Sequence, residues 1–127
     1  MEAEDRKVWA IRGAVTVDSN SPDDVDSAVK EMLDAIYKEN DITEDDVVFT
    51  LFSQTQDITK RNAAAAARKS GYSTHTPLFC VQEAYVENML PLTIRVLVEV
   101  EKKMDKKPVM VYLKGAMALR PDLRRKK

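Results

Sequence analysis

The chain has 127 residues and a net charge of −1, and 44% of its side chains are hydrophobic and 32% charged. These values predict one domain over residues 1–127 with a substantial core, and they give no indication of a nucleic-acid or membrane partner. The chain shows no secretory signal, no apolar run of about 20 residues, one Cys and one His, which predicts a cytoplasmic protein without an internal disulfide or structural metal.

A strand is predicted near the N-terminus. Residues 1–6 are expected to form a disordered extension, and a run rich in Val, Trp and Ile begins at Lys7. With a period of two residues, Ile11 and Gly13 share one face of this strand, and Arg12 lies on the other. The glycine beside Arg12 indicates either a bulge or a close approach of the backbone to another group.

A long amphipathic helix is predicted next. Ser21 is a good N-cap and Pro22 suits the first helical position, so the helix should begin there and end at Asn40. Its apolar residues recur at helical spacing and form one stripe, which should lie on a sheet: Val25, Ala28, Val29, Met32, Leu33 and Ile36.

The remaining elements are predicted to be short. Residues 43–46 indicate a turn or one capped helical turn, and residues 47–53 a strand. Alanine propensity predicts a helix over residues 62–69, which Gly71 should end.

The C-terminal half predicts mostly strands. Two apolar strands, residues 78–82 and 94–101, are joined by a polar loop, and further strands are predicted over residues 109–113 and 116–120. Residues 121–127 are expected to form a mobile basic tail.

These elements predict an α+β fold: a mixed five-stranded sheet packed by one long helix and by short helices. Most connections between strands are too short for crossovers, so the helices should lie on one face. Residues 94–100 are apolar on both faces of their strand, which a sheet covered on one side would not require. We therefore expect association into an oligomer to cover the second face.

The candidate site lies on the two apolar strands of the C-terminal half. Cys80 is within the first strand, Glu83 follows its end, and Arg95 is near the start of the second. A charged Arg in an apolar strand must be paired or must face a cavity, because burial of an unpaired charge is very costly. We expect the three side chains to meet at the strand ends.

Seven short strings, in order and at matching spacings, give the chain a resemblance to a known family. It resembles the monofunctional chorismate mutases of the small trimeric α/β type over nearly its whole length. The strings are IRGA at 11–14, T-x-D at 55–57, Arg68 followed by SGY at 70–72, C-x-Q-E at 80–83, LPLTIRVLV at 90–98, VYL at 111–113 and LRPDL at 119–123.

The resemblance implies a homotrimer whose sheets form a pseudo-α/β-barrel, with an active site at each subunit interface. It implies the rearrangement of chorismate to prephenate, a pericyclic step that needs no nucleophile, metal or cofactor. Chorismate is a dianion, so fixed cations can hold its two carboxylates and its folded conformation. A further cation can stabilise the negative charge that develops on the ether oxygen.

The resemblance also implies roles for eight residues. Arg95 would serve the ether oxygen and the enolpyruvyl carboxylate, which Arg12 and Tyr112 would also hold. Glu83 would accept the ring hydroxyl, with Cys80 beside that hydroxyl. Arg68 and Arg120 would line the entrance and attract the dianion, and Leu119 would supply an apolar wall.

The chain departs from this family at the start of its short helix. The family usually has Phe-Pro there, often followed by Lys, whereas this chain has Asn62-Ala63 and then Ala65. Loss of an aromatic residue and a cation predicts weaker capture of substrate, unless Lys60 and Arg61 supply the charge. An alternative function is therefore a weak or inactive relative that binds a small carboxylate as a regulatory module.

Without the resemblance, simpler interpretations apply to each residue. Arg95 could form a structural ion pair with Glu83 or Glu99, Cys80 could be an ordinary buried residue, and Tyr112 could be a core aromatic. Imine deaminases of similar size also use an interface Arg, but they lack the IRGA and LRPDL strings.

Overall fold

The structure, a computed structural model, describes residues 6–120. The extension predicted at residues 1–5 and the tail predicted at 121–127 lie outside the described residues. Arg6 was also predicted to belong to the extension, but its guanidinium donates a 2.6 Å hydrogen bond to the backbone carbonyl of Glu101. The elements are β1 (Lys7–Thr16), α1 (Pro22–Asn40), a 3₁₀ helix (Glu44–Asp46), β2 (Val47–Gln54), α2 (Ala63–Lys69), β3 (Leu78–Gln82), β4 (Thr93–Lys102), β5 (Val111–Leu113) and a second 3₁₀ helix (Lys114–Leu119).

The five strands form one mixed sheet in the order β3-β2-β4-β1-β5. The central strand β4 runs antiparallel to both β1 and β2, whereas β3 is parallel to β2 and β5 is parallel to β1. This confirms the predicted mixed α+β sheet. Because β2 separates β3 from β4, the two strands that carry the candidate site are not neighbours.

Helix α1 forms as its sequence predicts. The Ser21 side chain accepts a hydrogen bond from the Asp24 N–H, Pro22 occupies the first turn, and Asp41 ends the helix in a left-handed conformation with φ of 50°. The six predicted stripe residues are all buried. None of the helices in residues 6–120 has the length and hydrophobicity needed to cross a membrane.

Gly13 lets α1 lie close against the sheet. A Cβ atom at this position would be 2.8 Å from Cδ1 of Ile36 and 3.1 Å from the carbonyl oxygen of Val111. The pairing of β1 with β4 is continuous from Lys7 to Thr16, so close approach, and not a bulge, explains this glycine.

The two faces of the sheet have different surroundings. One face, which we call the helix face, packs against α1 and α2 through fully buried residues such as Ile11, Phe52 and Val98. The opposite face, called here the open face, carries Leu51, Leu97 and exposed Phe79. Both α-helices therefore lie on one face, as predicted.

The last two elements differ from prediction. The strand predicted over 109–113 begins only at Val111, because the Asn40 side chain binds both the N–H of Val109, at 2.7 Å, and its carbonyl, at 3.0 Å. The strand predicted over 116–120 is wrong. Lys114 takes a φ of 54° and turns the chain, and Gly115 N–H donates to the Thr16 hydroxyl, so the alanine-rich segment folds as a 3₁₀ helix.

Candidate active site

One row of side chains crosses the whole open face of the sheet. The pairing places Tyr112 of β5 beside Ala14, Ala14 beside Arg95, Arg95 beside Ser53 and Ser53 beside Val81. Side chains on one row of a sheet lie close enough to interact. This row brings residues from all five strands together.

Glu83 closes the row at the β3 end. Its carboxylate accepts a hydrogen bond from Nη1 of Arg95 through Oε1, and a second one, of 2.8 Å, from the Ser53 hydroxyl through Oε2. Its backbone N–H donates 2.9 Å to the carbonyl of Gln54. Glu83 is thus the partner of Arg95, one of the two alternatives that the sequence suggested. The ion pair joins β4 to the end of β3 and crosses over Ser53 of the intervening strand β2.

Arg12 faces the same space from β1. It is paired with Leu97 in the next row, diagonal to Arg95, and its side chain is exposed. The two arginines line one cleft of about 220 Å³, together with Ser53, Leu51, Leu97 and Val81 on the open face. The two guanidinium groups make the cleft suited to a small organic anion, because each offers a planar fork of donors to a carboxylate.

Tyr112 and the second 3₁₀ helix border this site at the β5 end. Tyr112 packs against Ala14 and Ala116, and Leu119 packs on the same cluster. Arg120 follows directly and is half-buried. The structure therefore places four of the residues named by resemblance, Arg12, Arg95, Glu83 and Tyr112, along one side of the sheet, with Leu119 next to them.

Similar proteins point to one family. A family model described as Chorismate mutase type I matches residues 8–123. Chorismate mutase AroH of Bacillus subtilis (strain 168) is 34% identical over 117 residues, covering 91% of this chain and 92% of the relative. Chorismate mutase AroH of Thermus thermophilus is 36% identical over 118 residues, covering 91% and 96%. The chain belongs to the type I chorismate mutase family.

The fold agrees with this membership. The solved structure of a chorismate mutase from Clostridium thermocellum matches the chain with a TM-score of 0.79 and 36% sequence identity, and the match covers 87% of this chain and 98% of that one. The resemblance inferred from the seven strings is thereby confirmed.

Two residues named by the chorismate mutase resemblance lie elsewhere in the single chain. Cys80 is paired with Phe52 on the helix face, and its thiol donates to Oε1 of Gln54 at 3.2 Å. Burial raises the pKa of this thiol. Hydrogen bonds from the backbone N–H groups of Ala63 and Ala64 favour the thiolate and offset part of this increase. Arg68 is exposed in the last turn of α2.

The departures from the chorismate mutase pattern have structural roles in this chain. The Asn62 side chain caps α2 by accepting hydrogen bonds from the N–H groups of Ala64, at 2.8 Å, and Ala65, at 3.2 Å. Arg61 had been considered as a replacement for the missing cation, but its guanidinium pairs with Asp26 of α1, at 3.0 Å. It thereby joins α2 to α1.

Ser53 was missed by the sequence analysis. Its hydroxyl is the second hydrogen-bond donor to Glu83 and lines the cleft with Arg95. The available signal was a polar residue at the end of an otherwise apolar strand, on the same parity as Leu51. Within residues 6–120 there is no cluster of three or more His, Cys, Asp or Glu side chains that could hold a metal ion.

Proposed function

We propose that this chain rearranges chorismate to prephenate in the cleft between Arg12 and Arg95, and that a neighbouring copy in a homotrimer completes the site. The observation that carries the proposal is the sharing of one cleft by these two guanidinium groups, with Glu83 held beside Arg95. Membership of the chorismate mutase family supplies the substrate.

Two kinds of assistance follow from this arrangement. The ether bond breaks as a carbon–carbon bond forms, which requires the enolpyruvyl arm to lie over the ring. Arg12 and Tyr112 would hold the carboxylate of that arm and reduce the entropic part of the barrier. Arg95 would stabilise the charge on the ether oxygen, and a fixed cation in a water-excluded site contributes several kcal/mol to such a transition state.

The ion pair with Glu83 suits Arg95 to this task. Glu83 occupies Nη1 of the guanidinium, and the fork of an arginine retains further N–H donors for a ligand. Ser53 fixes the other carboxylate oxygen at 2.8 Å. The arginine is therefore oriented before substrate binds, which is the condition for electrostatic stabilisation without reorganisation.

A second copy is proposed because the site of one chain is open and incomplete. The open face carries exposed apolar groups, including Phe79 at 67% exposure and Val81 at 43%, and contiguous apolar surface of this kind is typical of an interface. Cys80 lies on the helix face, and neither Cys80 nor Arg68 lines the Arg95 cleft within one chain. A neighbouring copy on the open face would supply the missing wall of the cleft.

The test is the loss of chorismate absorbance after addition of purified protein, with prephenate identified as the product. Turnover well above the uncatalysed rate is expected, together with a trimer mass by light scattering. Binding of chorismate without turnover at high protein concentration would instead support the regulatory module. A cytoplasmic location remains a prediction of the sequence.

A further inference from the structure

The side chain of Gln54, the last residue of β2, forms hydrogen bonds with the loop after β2, with the start of α2 and with β3. Its Nε2 donates to the carbonyls of Ile58, at 3.1 Å, and Arg61, at 3.2 Å. Its Oε1 accepts from the N–H of Ala63, at 2.9 Å, and from the thiol of Cys80, at 3.2 Å. Both donors and both acceptor positions of the amide are thus used.

The backbone of Gln54 reaches a further site residue. Its carbonyl accepts the N–H of Glu83 at 2.9 Å, while the preceding residue, Ser53, holds the Glu83 carboxylate. Two consecutive residues at the end of β2 therefore hold both sides of the site. Ser53 binds the Glu83 carboxylate on the open face, and the Gln54 side chain binds Cys80 and the start of α2 on the helix face.

We propose that Gln54 is a positioning residue for the active site: its side-chain amide ties the start of α2, and with it Arg68, to Cys80 of β3, the strand that leads to Glu83. The inference rests on the proposed function for its effect on substrate. The amide itself touches neither the Arg95 cleft nor its two arginines, so it acts through the residues that it holds.

The start of α2 needs this tie because short helices are not stable by themselves. The helix has seven residues, and its first five are alanines with little area to bury. Asp26 attaches it to α1 through Arg61 and, at 3.1 Å, through Lys69. Gln54 attaches the same segment to the sheet. Together these contacts hold α2 from two sides, and the Gln54 amide also accepts a hydrogen bond from Cys80.

Cys80 provides a probe that is independent of activity. It is the single cysteine of the chain, it is half-buried, and it lines a cleft of about 150 Å³ together with Gln54 and Asn62. Its rate of alkylation by iodoacetamide reports the accessibility and ionisation of this one thiol. Loss of the Gln54 acceptor removes the 3.2 Å hydrogen bond that this thiol donates, so the accessibility of the thiol should rise.

Two variants and one control test the proposal in the full chain. Gln54→Ala removes the amide and its volume, whereas Gln54→Met keeps the volume and removes all four hydrogen bonds. For both variants we expect alkylation of Cys80 and the KM for chorismate to rise by about tenfold, with kcat within about twofold of wild type. Gln56→Ala, an exposed glutamine two positions along the chain, should match wild type in all three measurements.

Three results would overturn the proposal. Wild-type KM and alkylation in Gln54→Ala would show that the tie is dispensable. Wild-type behaviour of Gln54→Met would show that volume matters and hydrogen bonds do not, and this variant decides the matter if Gln54→Ala does not fold. Equal loss of kcat in every variant would indicate a role in chemistry or in global folding. If wild-type protein does not turn over chorismate, the proposed function fails, while the alkylation ratio still decides whether Gln54 holds Cys80.

Discussion

The Ser53 hydroxyl donates a hydrogen bond of 2.8 Å to Oε2 of Glu83, across the gap between β2 and the end of β3. The other carboxylate oxygen is bound by Arg95, which is the cross-strand partner of Ser53. Glu83 is thus held at both oxygens, one by Arg95 and the other by the hydroxyl of the residue paired with Arg95 on the neighbouring strand.

Removal of this hydroxyl should impair catalysis more than stability. Ser53→Ala leaves Glu83 with one side-chain partner, and we expect kcat/KM to fall by about tenfold because the carboxylate and Arg95 lose their fixed geometry. Ser53→Thr keeps a hydroxyl and should retain most of the activity. Ser27→Ala, on the exposed side of α1, is the matched control. Full activity of Ser53→Ala would remove Ser53 from the site.

Arg95 should matter most in the transition state. Arg95→Ala is expected to lower kcat by roughly 10²- to 10³-fold or more, since it removes the cation assigned to the ether oxygen. Arg95→Lys should also be poor, because a point charge cannot bridge two oxygen atoms as a guanidinium does. Arg6→Ala, at the other end of β4 where Arg6 binds Glu101, controls for loss of an arginine. Near-normal turnover by a folded Arg95→Ala protein would refute the mechanism.

Arg120 should act mainly on substrate binding. It follows Leu119 at the β5 end of the row, where a cation would attract a dianion equally in the ground state and in the transition state. Arg120→Ala should raise KM by about 3- to 10-fold with little change in kcat, and added salt should narrow the difference. The measurement is steady-state kinetics at two ionic strengths. An unchanged KM would place Arg120 outside the entrance.

A charge on the open face should separate the copies. Phe79 is 67% exposed, so Phe79→Asp should leave the single chain folded while placing a carboxylate in the proposed interface. We expect a lower mass by light scattering and loss of most activity. Val109→Asp is the control, because Val109 is 40% exposed and precedes β5, outside the strand rows of the open face. An active wild-type monomer would contradict the interface site.

A pair of tyrosines should make the protein sensitive to alkali. Tyr37 and Tyr72 pack edge to face with ring centroids 4.7 Å apart, and their hydroxyls bind the carboxylates of Glu44 and Asp34. Burial and these carboxylates raise the pKa of both tyrosines above the ordinary value of about 10. The unfolded chain therefore loses these protons first, so the stabilisation is present below pH 10 and is lost as pH rises beyond it.

This effect can be measured with one substitution. Tyr37→Phe should lower the free energy of unfolding by about 1 kcal/mol at neutral pH, through loss of a hydrogen bond to a carboxylate. The difference from wild type should shrink between pH 10 and 11.5, as followed by denaturant unfolding. Tyr85→Phe, at an exposed tyrosine, should parallel wild type. A constant difference across this range would argue against the assigned titration.

The sequence by itself determined most of the helices and strands, and the buried face of α1. Ser21, Pro22 and the apolar stripe specify α1, because caps and periodicity act within one element. The strand predicted at 116–120 was wrong because that segment's conformation depends on contacts outside it. The turn at Lys114 and the hydrogen bond to the Thr16 hydroxyl place the segment outside the sheet. The family was also readable from short strings, which keep their order along the chain.

Only the tertiary structure decided which side chains meet. Strand order depends on packing between segments far apart in the chain, and no local pattern indicated that β2 would lie between β3 and β4. That placement puts Ser53 between Glu83 and Arg95, and it sends Cys80 to the helix face beside Gln54. The charged residues of the site could be identified from the sequence. The polar side chains that hold them, Ser53 and Gln54, could be identified only from the pairing register of β2, β3 and β4.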